Sequence, residues 1–171
     1  MKKVILSLAI VALATLSASA QKKNQEMKSL RLSVGVDAGL PIADAGDVYS
    51  FVIGGDVQAE YAATSELGLT LSAGVSSWSI KSDFGGGSTT SIPVLAGGRY
   101  YFSNRKAYIN GQLGVTIFTA KGGGSSTSAF TYAPGVGYYL TDNIDAMLKY
   151  QAATKDGSSI SQIALRVAYN F

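Results

Sequence analysis

Four carboxylates and four cations set inside otherwise apolar segments are the residues of this chain that could do chemistry. They are Asp37, Asp56, Glu60 and Asp145, against Arg31, Arg99, Lys149 and Arg166. Two carboxylates held close together and shielded from water could divide acid and base roles between them. The rest of the sequence gives that chemistry little support. It contains no His and no Cys, so the usual general base, the histidine-activated nucleophile and the thiolate metal ligand are all missing. Each carboxylate also falls in a context that pairs it with a basic residue. The eight are therefore expected to form a structural charge network, with no catalytic residue, no metal site and no cofactor. The glycine triplets Gly85-Gly86-Gly87 and Gly122-Gly123-Gly124 do not read as phosphate loops, because neither is followed by a Lys-Ser/Thr pair opening a helix.

The element that must position these charges is a strand. From Ile163 to Phe171 the odd positions are all large and apolar, while the even ones are small or polar and include Arg166. Side chains alternate across a strand, so this segment has one greasy face and one polar face. Eight such segments are expected, over residues 30–40, 51–61, 67–75, 92–102, 107–118, 130–140, 144–152 and 159–171. All eight charges fall on the polar parity. A charge on the other face would cost about 2–4 kcal/mol at the middle of a bilayer. Trp78 is the exception to the pattern: it sits on the inward parity of the third segment, which a bulge, or a strand that has left the membrane by that point, would explain.

The connections alternate in length. Residues 62–66, 103–106 and 141–143 are tight, whereas those after the first, third, fifth and seventh segments are longer, and two of them, 81–90 and 119–129, are rich in Gly and Ser. Tight turns at one end and longer loops at the other are the membrane-barrel arrangement. Tyr61, Tyr100, Phe102, Tyr108 and Tyr138 bunch beside the tight turns and are expected to form an aromatic girdle at that interface, joined by Tyr169 and Phe171.

Composition agrees. Among 171 residues there are 20 Gly and 10 Tyr, and only 15% are charged. The mean hydropathy is +0.20, yet beyond residue 20 no apolar run is long enough to span a bilayer as a helix. Barrels combine these properties because every second residue faces lipid. Residues 1–20 read as a cleavable signal peptide helix, with Lys2 and Lys3 before an apolar run and Ala18-Ser19-Ala20 at the cleavage site. Residues 21–29 read as a polar periplasmic leader and 30–171 as the barrel. Cleavage would remove two of the 14 basic residues and leave 12 against 11 acidic ones, a balance that gives no reason to expect nucleic-acid binding.

Ile92-Pro93-Val94-Leu95-Ala96-Gly97-Gly98-Arg99-Tyr100-Tyr101-Phe102 with its Ser-Asn turn resembles a strand of the OmpA/OmpX-type eight-stranded outer-membrane β-barrel family, in the form common in Bacteroidetes. Ala133-Pro134-Gly135-Val136-Gly137-Tyr138-Tyr139-Leu140-Thr141-Asp142-Asn143 is similar to its sixth strand and turn. The resemblance implies an all-β fold, an eight-stranded antiparallel up-and-down transmembrane β-barrel in the outer membrane of a Gram-negative bacterium. It implies outer-membrane lipid, the barrel-assembly machinery and periplasmic chaperones as partners, a monomeric state, and Val167, Tyr169 and Phe171 as the assembly signal. The role expected is structural or surface-interacting, with the loop partner open and the lumen closed by the charge network. Arg31 is expected beside Glu60 near the periplasmic mouth and Asp56 beside Arg166 at mid-membrane, filled around by Gln58, Gln112, Tyr101 and Tyr139. The alternatives are a narrow pore or conduit for small apolar molecules, and a soluble lipocalin-like carrier with the apolar stripe turned inward.

Overall fold

Alternation at period two carries through every strand of the computed structural model, which describes residues 30–103, 105–120 and 126–171. The order is β1 (Leu30–Ile42), α1 (Asp44–Val48), β2 (Tyr49–Ala62), β3 (Leu67–Ile80), a 3-10 turn (Ser82–Phe84), β4 (Ser88–Phe102), β5 (Ala107–Ala120), β6 (Ser126–Tyr139), β7 (Ile144–Lys155) and β8 (Ser158–Asn170). Each strand pairs antiparallel with the next, and β1 pairs with β8 from Ser33–Asn170 to Ile42–Ser161, closing the sheet into a barrel with no free edge. The proposed signal peptide, the leader and the second glycine triplet lie outside the described residues.

The barrel is inverted relative to a water-soluble one. Outward Val36, Leu71 and Leu113 are 64%, 58% and 57% exposed, whereas inward Arg99 and Asp145 are fully buried. A lipocalin-like carrier requires the opposite arrangement, and that reading is overturned.

Three expectations need correction. The strands run further than the alternation suggested, adding residues such as Ser76 to Ile80 in β3 and Ser126 to Ala129 in β6, because ladder hydrogen bonding continues after apolar patterning fades. For the same reason the last connection is not long. It is a two-residue hairpin at Asp156-Gly157, with φ of 50° and 83°, the Asp-Gly turn whose left-handed residues match the twist of paired strands. Trp78, finally, needs no bulge. It points inward as its parity says, and packs inside the barrel near α1.

Candidate functional site

The lumen holds nearly all the buried polar chemistry, and it is stacked in three layers between the end where β2, β4 and β6 connect to β3, β5 and β7 (the turn end) and the end carrying α1 (the capped end).

At the turn end, inward parity on β4, β5 and β6 brings Tyr101, Tyr108 and Tyr139 together, with ring centroids 5.6, 5.9 and 6.4 Å apart. Met147 fills beneath them. Three arginines lie over these rings: Arg99 over Tyr108 at 4.4 Å, Arg105 over Tyr101 at 4.3 Å and Arg31 over Tyr139 at 5.6 Å. The ring faces offer favourable quadrupole contact to these cations, most of all to the fully buried Arg99. Two carboxylates organise the layer. Glu60 accepts from Tyr101 Oη at 2.6 and 2.7 Å and from Arg99 Nη1 at 3.3 Å, with Arg105 Nη2 at 4.0 Å. Asp145 accepts from Tyr108 Oη and, at 2.8 Å, from Asn170 Nδ2. Tyr108 lies flat across Gly137, where a Cβ would stand 2.2 Å from its ring; only glycine leaves that space.

The middle layer is ionic. Arg166 donates to Asp56 through Nη2 at 2.6 Å and Nε at 2.7 Å, a bidentate geometry stronger than a single contact, and Nη2 also reaches Ser33 Oγ at 3.2 Å. Lys149 Nζ lies 2.7 Å from Asp37 Oδ1, a charge contact rather than an aligned hydrogen bond. Gln112 Nε2 bridges Thr70 and Ser72 at 3.2 Å each and Gln58 at 3.4 Å. Asp37, Asp56, Lys149, Gln151, Gln162 and Arg166 border a cavity of about 20 Å³ measured to a water-sized sphere, room for roughly one water.

At the capped end the lining turns apolar. Val52, Trp78, Phe118, Ala129 and Ala153 pack together, with Ala45 of α1 above and Tyr49 and Ile160 at the side. Trp78 meets Tyr49 and Phe118 edge-on at 5.4 and 6.2 Å, and its Nε1 donates to Ser91 Oγ at 2.9 Å, satisfying its one polar atom.

The eight charges named from the sequence thus all face the lumen, but they combine differently from the pairs expected. Asp56 and Arg166 do meet. Glu60 is the cross-strand neighbour of Arg31 yet bonds Arg99, while Arg31 Nη1 donates across to Tyr139 Oη at 2.9 Å. Asp37 is opposite Arg166 in register yet contacts Lys149. Strands in a barrel are tilted, so an inward side chain points at a diagonal neighbour rather than its ladder partner.

Of the girdle residues, Tyr61, Tyr100, Phe102 and Tyr138 do stand on the outer surface at the turn end. Tyr108 does not: it is fully buried inside. Its parity with Asn110 and Gln112 carried that signal, which bunching of tyrosines by position alone overrode. Arg105, in a turn, and Asn170 were also missed; a turn residue has no parity from which its reach into the lumen could be read. Val167 and Tyr169 face outward on the last strand and Phe171, just past its end, is exposed, with Tyr169 and Phe171 edge-on at 5.1 Å.

The model of the outer membrane protein beta-barrel domain family matches residues 8–171. No curated protein matches the chain. Among solved structures the chain is similar to Ail, the attachment invasion locus protein of Yersinia pestis, at 17% identity and TM-score 0.58, covering 85% of this chain and 100% of that one. It is similar to the N-terminal β-barrel domain of Pseudomonas aeruginosa OprF at 18% identity and TM-score 0.55, covering 82% of this chain and 97% of the other. Neisserial surface protein A gives 14% identity and TM-score 0.58, with 85% of this chain and 100% of that chain covered. At such identities these likenesses speak to the fold alone.

Proposed function

This chain belongs to the outer membrane protein beta-barrel domain family, and from that premise we propose a structural and surface-interacting protein whose turn end faces the periplasm and whose lumen does not conduct and does no catalysis. The observation that carries the reading is the pair of unlike layers at the two ends, the Tyr–Arg layer around Glu60 and the apolar layer around Trp78. An ion crossing would have to part both. The carboxylates support the absence of catalysis, since each is engaged by Arg, Lys, Tyr or Asn rather than left facing a cleft.

Conductance is the test. Mature protein refolded into a planar bilayer is expected to give no sustained openings, and large steady channels from the unmodified protein would refute the closed lumen.

The capped end is the surface offered to partners. Its described side chains include Asp44, Asp47, Asp83 and Asp156 against Lys81 and Lys155, and the sequence adds Lys121 between β5 and β6, so the charges there are mixed and form no basic patch. The heparin analogue held by Ail is therefore not carried over to this chain.

Val167, Tyr169 and Phe171 are proposed to be read by the barrel-assembly machinery. The support is their outward, aromatic display on the strand that closes on β1, where the Phe171 N–H donates to Leu32 O at 2.9 Å. Phe171→Ala is expected to lower the yield of folded barrel in cells far more than it lowers stability after refolding in detergent. Equal cellular yields of variant and parent would reduce Phe171 to a member of the girdle.

A further inference from the structure

Among the described residues the closed sheet has two places where a ladder skips a pair of residues, both at prolines, besides the bulge between Tyr49 and Phe51 where β2 pairs β3. Between β3 and β4 the pairing skips Gly74 and Val75, opposite Pro93 and Ile92, and resumes at Ser76–Ser91. Between β6 and β7 it skips Ala133 and Pro134, opposite Gln151 and Tyr150. Proline has no N–H to donate to a neighbouring strand, so a proline inside a sheet leaves a seam.

The two seams are finished differently on the outer surface. At the second, Tyr150 stands opposite Pro134 and its ring lies 6.0 Å from that of Tyr132, so aromatic rings flank the gap. The first borders a shallow, open groove whose lining includes Ile53, Gly55, Val75, Ser77 and Thr90. On the inner side of the same wall, Gly74, Ser76 and Pro93 line the lumen cavity. Gly55 creates the recess. It shares outward parity with the exposed Ile53 and Val57, and a Cβ there would meet only Gly35 O, at 3.4 Å.

The groove is graded in polarity. Gly55 and Val75 are cross-strand partners at its apolar part. Ile53, Ser77 and Thr90 form the next row toward the capped end, where Ser77 and Thr90 face each other in register. Ser77 and Thr90 open a row of outward hydroxyls that continues in register to Thr119 and Ser126, so the groove ends where the outer face turns polar, the height at which a lipid's ester or headgroup finds partners. The groove is also continuous with the exposed apolar band, the surface that meets lipid in this family. We propose that it is a specific lipid site, holding one acyl chain of an outer-membrane lipid along Gly55 and Val75 with the lipid's ester or headgroup oxygens against Ser77 and Thr90.

The test uses full-length mature protein refolded in vesicles of phosphatidylethanolamine and phosphatidylglycerol, then released and weighed by native mass spectrometry. The wild type is expected to retain one lipid. Gly55→Leu, which fills the recess, is expected to weaken retention about tenfold, and Ser77→Val with Thr90→Val should weaken it too. Gly111→Leu is the control, because Gly111 shares outward parity with Ile109 and Leu113 and has open space around its Cβ position; it should retain the lipid. Trp78 is the chain's single tryptophan and adjoins Ser77, so its quenching by lipids with brominated chains should fall in Gly55→Leu and not in Gly111→Leu. A wild type that flies bare, equal retention and quenching in Gly55→Leu and the wild type, or a second copy of the chain retained in place of lipid would each overturn the proposal.

Discussion

Glu60→Ala is expected to destabilise the refolded barrel by about 3–5 kcal/mol, the cost of leaving a buried charge without its partner. Arg99 is fully buried, and among the described residues Glu60 is the one carboxylate that it bonds; its Nε and Nη2 have no protein partner at all. The same substitution strips the Tyr101 hydroxyl of its acceptor and leaves Arg105 over Tyr101 with no carboxylate within 4.0 Å. Glu60→Gln should cost less, because an amide oxygen still accepts from Tyr101. Exchanging Glu60 and Arg99 together for apolar residues should recover much of the loss, since buried ion pairs are often replaceable as a unit. Denaturant unfolding in detergent micelles measures all of these. A loss below about 1 kcal/mol for Glu60→Ala would show that the layer is wet enough for water to replace the carboxylate.

Gly97→Ala is expected to be comparably severe for a purely steric reason. A Cβ on Gly97 would stand 1.9 Å from Gly111 O and 2.7 Å from Gln112 Cα. Both are backbone atoms of the neighbouring strand, so no side chain can rotate away. The β4–β5 ladder there is unbroken from Thr89–Ala120 to Phe102–Ala107, and an extra methyl group must force those strands apart. The expected cost is about 3 kcal/mol, the upper end for overpacking, seen as a reduced fraction of the heat-modifiable folded form on electrophoresis. Gly111→Ala, one residue from Gln112 on the partner strand, meets nothing within 4 Å. It should be neutral or stabilise by about 0.5 kcal/mol through the unfolded chain. If both variants refold like the parent, the close approach of β4 to β5 is wrong.

Much of this molecule was legible because side-chain direction in a strand is a local property. Arg31, Asp37, Asp56, Glu60, Arg99, Asp145, Lys149 and Arg166 could be assigned to one face by parity alone, and the face of Trp78 and Tyr108 was equally available from the same count. Tyr108 was misassigned only because its neighbourhood to other tyrosines was weighed above its parity. The Asp156-Gly157 turn signature stands in the sequence too, but fading apolar alternation hid how far β7 and β8 extend, so a longer connection was expected there.

Closure, partner choice and height belong to the tertiary structure. A ladder fixes which residues stand opposite each other, yet Asp37 stands opposite Arg166 and makes its ion pair with Lys149, while Arg166 bonds Asp56 two strands away. Tilt and stagger carry each inward side chain sideways across the lumen, by an amount that depends on how the whole sheet closes. The space these long side chains occupy is equally non-local. Arg166 lies across Gly35, where a Cβ would be 2.7 Å from its Nε, and these two residues are far apart in the chain. The alternation of one strand determines which side chains enter the lumen; only the closed barrel decides which of them meet, because the distances across it are set by all eight strands at once.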